Sequence, residues 1–390
     1  MVLSTTVAGG RGIATTVAGA TITVSAIVFS ITALSTQMAS NQYSPRALGN
    51  FFEDTYQQVV IGLVVGTFTY SLVVLASLTN AIVDRSGTTP SVTVTLAAVL
   101  GVASVFGIVG YINHSLRRMQ IDSVLQRISA AAVEAIESHL DIDPDANHFP
   151  IEMPTGPPQV VLARRRGWLT QIEVDQLIEA LPDGATARVD VRLGEAISEG
   201  DTLMTVWKNE SLQLDDAALE GALVSAAERS NTLDPTFGIR QLVDIALKAL
   251  SPGVNDPTTA SDVLHHLKSP IRLVLGSDPP RRVFTGNAAK RVLLVETPSR
   301  ADYVHTAFTE IRLASGGQPY VLGTLIEVLQ DLLGDMNQGD MAGRSGPVEE
   351  QLELTVAMVL NSDMPQPDVD RVMARVNSLP TDADLGFASR

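Results

Sequence analysis

Three long apolar stretches, near 13–38, 58–79 and 91–113, constrain this chain more than any other feature, because none contains a Lys, Arg, Asp or Glu. At 1.5 Å rise per residue, about 20 apolar residues cross the ~30 Å hydrocarbon core of a bilayer as a helix. Only helices and closed barrels satisfy their backbone polar groups there. The first 114 residues therefore read as a three-span membrane domain, with the lipid bilayer as its first partner. Arg11 is the only charge ahead of the first stretch, which is too long for the apolar core of a cleaved signal peptide.

Charge is divided unevenly. Residues 1–114 carry Arg11, Arg46, Arg85, Glu53, Asp54 and Asp84, which cancel, so the net charge of −16 lies beyond them. An acidic segment of about 275 residues is large enough for one big core or two ordinary ones. Its sign argues against nucleic acid, whose phosphates need clustered Lys and Arg. Arg164-Arg165-Arg166 is the one basic run and is too short to reverse that argument. Without Cys there is neither a disulfide nor a thiolate metal site. Arg117-Arg118 after the third stretch place the C-terminal part in the cytoplasm by the positive-inside rule, as expected of a multi-pass protein of an inner (plasma) membrane.

Within the first stretch Thr21, Ser25, Thr32, Thr36 and Ser40 recur at helical spacing. Two readings stay open for this hydroxyl face. It lines a watery path in a homo-oligomer, or it packs against neighbouring helices through interhelical hydrogen bonds. Between the first two stretches, Tyr43, Pro45, Arg46, Phe51 and Phe52 suit a short helix in the headgroup layer. Gly62-Leu63-Val64-Val65-Gly66 has the spacing that lets another helix approach closely.

Beyond the membrane domain, residues 115–158 read as an amphipathic helix and a linker rich in Pro, Asp and Gly. From 159 to 210 the period shifts to two: Val160–Leu162, Trp168–Ile172, Arg188–Leu193 and Leu203–Trp207 are the expected strands of a small β-module. Its turns around Ile197 resemble those of biotinyl and lipoyl carrier half-barrels, but no Lys stands at a hairpin tip to carry a group. Residues 211–365 read as mainly helical, with one strand at Arg291–Glu296, and 366–390 as a tail. The helix 238–250 is apolar on all but one face, which carries Arg240, Asp244 and Lys248. Buried charges need partners, and Arg229, Asp234, Asn255 and Asp256 flank that helix. These residues make either a structural ion-pair network or a polar pocket for a small ligand or protein partner.

No phosphate-binding loop, nucleophile elbow or zinc-spaced His pair occurs, so neither an enzyme nor a cofactor is expected. His265 and His266 are adjacent and point about 100° apart on a helix.

The strings Ile27–Thr32, Ser44-Pro45-Arg46, Gly66–Tyr70 and Phe237–Ala260 together resemble the bacterial predicted membrane proteins grouped as domain of unknown function 2254. The resemblance runs from about residue 12 to about 360 and implies several spans followed by a cytosolic domain. It implies no activity and carries over no site residue. Members usually have one more span upstream, and this sequence departs from that pattern at its start, where Met1 lies just before the first stretch. The fold class is thus an α-helical membrane domain of three spans, followed by an α+β domain with a β-module and a helical bundle. Two functions are expected from it: an oligomeric pore or solute-conducting protein with a regulatory domain, or a non-conducting scaffold or sensor that binds its ligand outside the membrane.

Overall fold

A computed structural model describes residues 6–42, 55–83, 91–118, 120–139, 157–208, 213–227, 229, 234–278, 282–294, 297–337 and 343–376. The chain divides into an N-terminal unit, Met1–Val124, and a C-terminal unit, Leu125–Arg390.

The N-terminal unit holds α1 (Val7–Gln42), α2 (Thr55–Val83) and α3 (Ser91–Arg118). All three are long and apolar enough to cross a membrane, over Val7–Leu34, Thr55–Leu78 and Ser91–His114. They pack on one another through Ala14, Val28, Val60, Val64, Val74, Leu78, Val94, Ile108 and Tyr111, all buried. Ile22, Phe29, Val73, Val99, Val105 and Phe106 face outward, and Phe106 is 74% exposed. In water such a band would be a liability, whereas hydrocarbon solvates it. A Cβ at Gly62 or Gly66 would meet no atom within 4 Å, so the expected close approach does not occur there within the chain. It occurs at Gly101, where a Cβ would lie 3.1 Å from both methyls of Val17, and at Gly110, where one would strike the Tyr56 hydroxyl. The proposed headgroup helix, with Tyr43, Pro45, Arg46, Phe51 and Phe52, lies outside the described residues.

In the C-terminal unit, α4 (Ile121–His139) buries Leu125, Ala132, Ala135 and Ile136 along one stripe. Strands β1 (Gln159–Leu162), β2 (Gly167–Ile172), β3 (Thr186–Val189), β4 (Ala196–Ile197) and β5 (Thr202–Trp207) follow, with the short helix α5 (Val174–Ala180) between β2 and β3. Alternation along Arg188–Leu193 suggested a longer third strand, but the ladder ends at Val189. The expectation of a mainly helical 211–365 is interrupted early as well. After α6 (Asp216–Gly221) comes β6 (Leu223–Ala226), which pairs with β2. Two later strands, β7 (Val283–Thr285) and β8 (Arg291–Leu294), complete the sheets.

One sheet has the order β1-β5-β3-β8-β7, antiparallel except for the parallel pair β3–β8, and a second has the order β4-β2-β6. Leu169, Leu177, Ala187, Val189, Met204, Val206, Leu219 and Val292 form their common core. Fully burying each larger side chain contributes about 1.5–3 kcal/mol.

The helical layer comprises α7 (Phe237–Leu250), α8 (Pro257–Gly276), α9 (Arg300–Ala314), α10 (Pro319–Asn337), α11 (Gly346–Leu360) and α12 (Gln366–Val376). Helix α10 packs against α8, α11 and α12, and buries Val321, Leu322, Leu325, Ile326, Val328 and Leu329. Pro270 sits inside α8, and its ring is buried.

Candidate functional site

Of the hydroxyls singled out in α1, those of Thr21, Ser25 and Thr32 are described, and they are buried or half-buried. Thr21 is buried and donates to the carbonyl of Val17 at 2.8 Å. Ser25 donates to Thr21 O at 2.8 Å. Thr32 donates to Val28 O at 2.9 Å and lies 2.6 Å from the hydroxyl of Tyr111 on α3. Bonding to the preceding turn satisfies a hydroxyl without water. Between α2 and α3, Thr67 and Ser104 meet at 3.0 Å. The side chains of Thr36 and Ser40 lie outside the described residues.

Six of the seven flagged polar residues of the C-terminal unit, Lys248 aside, fall into three separate sets. Asp234, 2% exposed, accepts from Nε of Arg229 at 2.9 Å and from the backbone N–H and hydroxyl of Thr236 at 3.0 and 2.8 Å. The Arg229 guanidinium also lies 5.6 Å from the ring centre of Trp168 and 4.9 Å from that of Phe237. A cation between two rings joins β2 to α7. Gly194, at φ +77, leaves the room this pair needs, since a Cβ there would strike both Asp234 and Arg229. In the second set, Arg240 donates from Nε to Asp244 at 2.8 Å and from both terminal nitrogens to Glu310 on α9. The hydrogen bond from Arg240 holds the Glu310 carboxyl below its usual range. In the third, Asn255 accepts from Gln318 at 3.2 Å, and Asp256 caps α8 through the N–H of Thr259 at 3.1 Å and its hydroxyl at 2.7 Å. Each set is satisfied by protein groups, as structural ion pairs and caps are.

A different group of side chains surrounds a cavity of about 330 Å³ where α8 ends and α9 and α11 begin. Its polar lining is Arg282, Arg300, Arg344, Asp278, Ser277, Thr297 and Ser299; Ile136, Val274, Tyr303 and Pro347 form apolar walls. Arg344 caps the C-terminus of α8, donating to the carbonyls of Gly276 at 3.1 Å and of Leu275 and Ser277 at 3.4 Å. A cation there complements the helix dipole. The other terminal nitrogen of Arg344 reaches Asp278 at 2.7 Å. Arg300 donates to Ser277 O, and its distance to Asp278 is 4.0 Å. Arg282 donates from Nε to the Thr297 hydroxyl at 2.9 Å.

Three guanidinium groups thus line the cavity against one carboxylate, Asp278, which is largely exposed and, among the described residues, within ion-pair distance of Arg344 and Arg300 only. Nε of Arg300 is buried with no hydrogen-bond partner among the described residues. Burial, and then the neighbouring charge of Arg344, lower the Arg300 pKa against the opposing pull of Asp278. Ser299 and Asp302 form a reciprocal cap at the start of α9, so Asp302 is committed to Ser299 at 2.8 Å. Its pKa is lowered first by the Ser299 backbone N–H. Tyr303 is buried, and its phenol pKa is raised by that burial and then by Asp234 and Asp302.

Sequence reasoning missed this site because Arg282, Arg300 and Arg344 are far apart in the chain and the acidic average conceals them. The basic run it did single out, Arg164–Arg166, is partly paired: Arg164 sits 3.8 Å from Asp216 and 3.9 Å from Glu220. No cluster of His, Cys, Asp and Glu suited to a metal occurs among the described residues.

The family model described as "Predicted membrane protein (DUF2254)" matches residues 2–331, which include all three apolar helices, both sheets and most of the helical layer. The chain belongs to the DUF2254 family. Relatives of this DUF2254 chain include the uncharacterized protein Mb1321c of Mycobacterium bovis and the uncharacterized protein Rv1290c of Mycobacterium tuberculosis. Each is 31% identical over 329 residues, covering 82% of this chain and 63% of the relative. The chain therefore spans somewhat under two thirds of the length of these relatives. No solved structure matches it.

Proposed function

We propose that this DUF2254 protein is a membrane-anchored, non-conducting binding protein of the sensor type. In this reading α1–α3 hold it in the bacterial inner membrane, and the C-terminal unit faces the cytoplasm and takes a small anionic ligand in the arginine-lined cavity. The observation that carries the reading is the imbalance at that cavity, three guanidinium groups against one lining carboxylate. Pockets of this size, with apolar walls and a few convergent polar groups, are typical of small-ligand sites. The membrane unit supports anchoring: Thr21, Ser25 and Thr32 all find hydrogen-bond partners within the chain and need no water path.

Binding is tested by thermal denaturation of the full chain in detergent against a panel of small anions. A ligand at about one hundred times its Kd stabilises the bound state by about 2.7 kcal/mol. A flat response to every anion sinks the reading. Because the chain lacks Cys, one introduced at the exposed Glu199 gives a clean topology probe. An impermeant maleimide is expected to label it only after lysis.

The conducting alternative draws on the exposed Gly62 and Gly66 face of α2, where a second copy could approach closely. It requires a homo-oligomer with water at Ser25, Thr32 and Thr36. Liposome flux that Thr32→Trp abolishes would establish it; a folded, silent wild type leaves the sensor reading in place.

A further inference from the structure

The arrangement around the cavity goes beyond a preference for negative charge. A carboxylate ligand carries one charge and two oxygens in a plane, and a single Arg fork matches it. Here the cationic donors come from three separated places: Arg282 ahead of β7, Arg300 in the first turn of α9, and Arg344 ahead of α11. Three aliphatic hydroxyl residues, Ser277, Thr297 and Ser299, line the same space. Counting lining side chains, three Arg against Asp278 leave a surplus of two positive charges. A phosphate monoester carries about −1.5 to −2 at pH 7 and presents three peripheral oxygens that accept from different directions. It matches both the surplus and the spread of donors.

The volume adds a second constraint. About 330 Å³ is far more than a bare oxyanion needs, and it stands at the small end of the range for organic ligands. Ile136, Val274, Tyr303 and Pro347 provide the apolar contact that an organic body would cover.

Resting on the binding reading above, we propose that the cavity recognises a phosphate monoester with a small organic body, its phosphoryl group held by Arg282, Arg300 and Arg344. Two sources share that chemistry, a soluble phosphorylated metabolite and the headgroup of a lipid such as phosphatidic acid.

The test uses the full chain in phosphatidylcholine nanodiscs, with phenyl phosphate as probe, benzoate as its carboxylate counterpart and inorganic phosphate as the bodiless anion. Phenyl phosphate is expected to bind at least tenfold more tightly than either. Arg282→Gln, which alters no helix cap, is expected to weaken it about tenfold with the ligand-free melting temperature unchanged. Arg300→Lys, which keeps the charge but loses the fork, should weaken it as well. Nanodiscs containing phosphatidic acid decide the source. Competition with phenyl phosphate that Arg282→Gln relieves assigns the lipid, and absence of competition assigns the soluble ester. Benzoate binding as well as phenyl phosphate overturns the phosphoryl class but leaves an anion site. Binding indifferent to both Arg variants overturns the placement, and no binding of any anion overturns this proposal together with the sensor reading.

Discussion

Asp256 shows how one side chain fixes a helix start in this protein. Its bonds to the Thr259 hydroxyl and then to the Thr259 and Thr258 N–H groups lower its pKa from the usual carboxylate value. Asp256→Ala should cost about 1 kcal/mol in denaturant titration, as lost N-caps do. The sign of the pH effect follows from the depressed folded pKa. The carboxylate's contribution is present above the unfolded value near 3.8 and disappears as pH falls through the lower folded value. Asp302 behaves in the same sense at the head of α9. Gly238 poses the opposite case, that of a missing side chain. A Cβ there would lie 2.7 Å from the Cβ of Ala132 and 3.1 Å from its Cα, so α4 and α7 are in contact at that point. Gly238→Val should destabilise the protein by about 1–3 kcal/mol through overpacking. Gly253→Ala, which meets open space, should change stability by no more than about 0.5 kcal/mol. Urea melts of the two variants make the comparison.

At the level of elements, the apolar helices and most strands were legible because burial periodicity is a local property. The stretch 238–250 became α7 almost to the residue, and Leu203–Trp207 became β5. What could not be read was which faces meet. The Gly62–Gly66 spacing pointed to close packing, yet Gly101 and Gly110 make the close contacts, and neither belongs to such a motif. Gly101→Leu should therefore lower the melting temperature in detergent, because Val17 cannot retreat without moving α1; Gly62→Leu should leave it unchanged. The same reasoning explains why β6 escaped notice: it is four residues long, with only Leu223 buried, so alternation has almost nothing to show. Pairing of charges was partly legible. The charged face of α7 needed partners, and Glu310, seventy positions beyond Arg240, could be found only in space. With the Glu310 side chain 48% exposed, a double-mutant cycle between Arg240 and Glu310 should give no more than about 1 kcal/mol of coupling.

Across the whole molecule, the N-terminal unit exchanges its surface with lipid while the C-terminal unit carries the sheets, the bundle and the arginine cavity. The parallel pair at the middle of the larger sheet joins Thr186–Val189 to Arg291–Leu294, so that Thr186 faces Arg291 and 105 positions separate the partners. A chain stopped at residue 250 should therefore fail to give the cooperative melt of the full protein, because β3 keeps one edge unpaired. Limited proteolysis of that fragment is the direct check. The same pairing has a consequence for synthesis. At about 5–20 residues per second, β8 leaves the ribosome roughly 5–20 s after β3. Throughout that interval the β3 edge that β8 will cover is open to other strands, which makes translation speed between these two segments a determinant of yield.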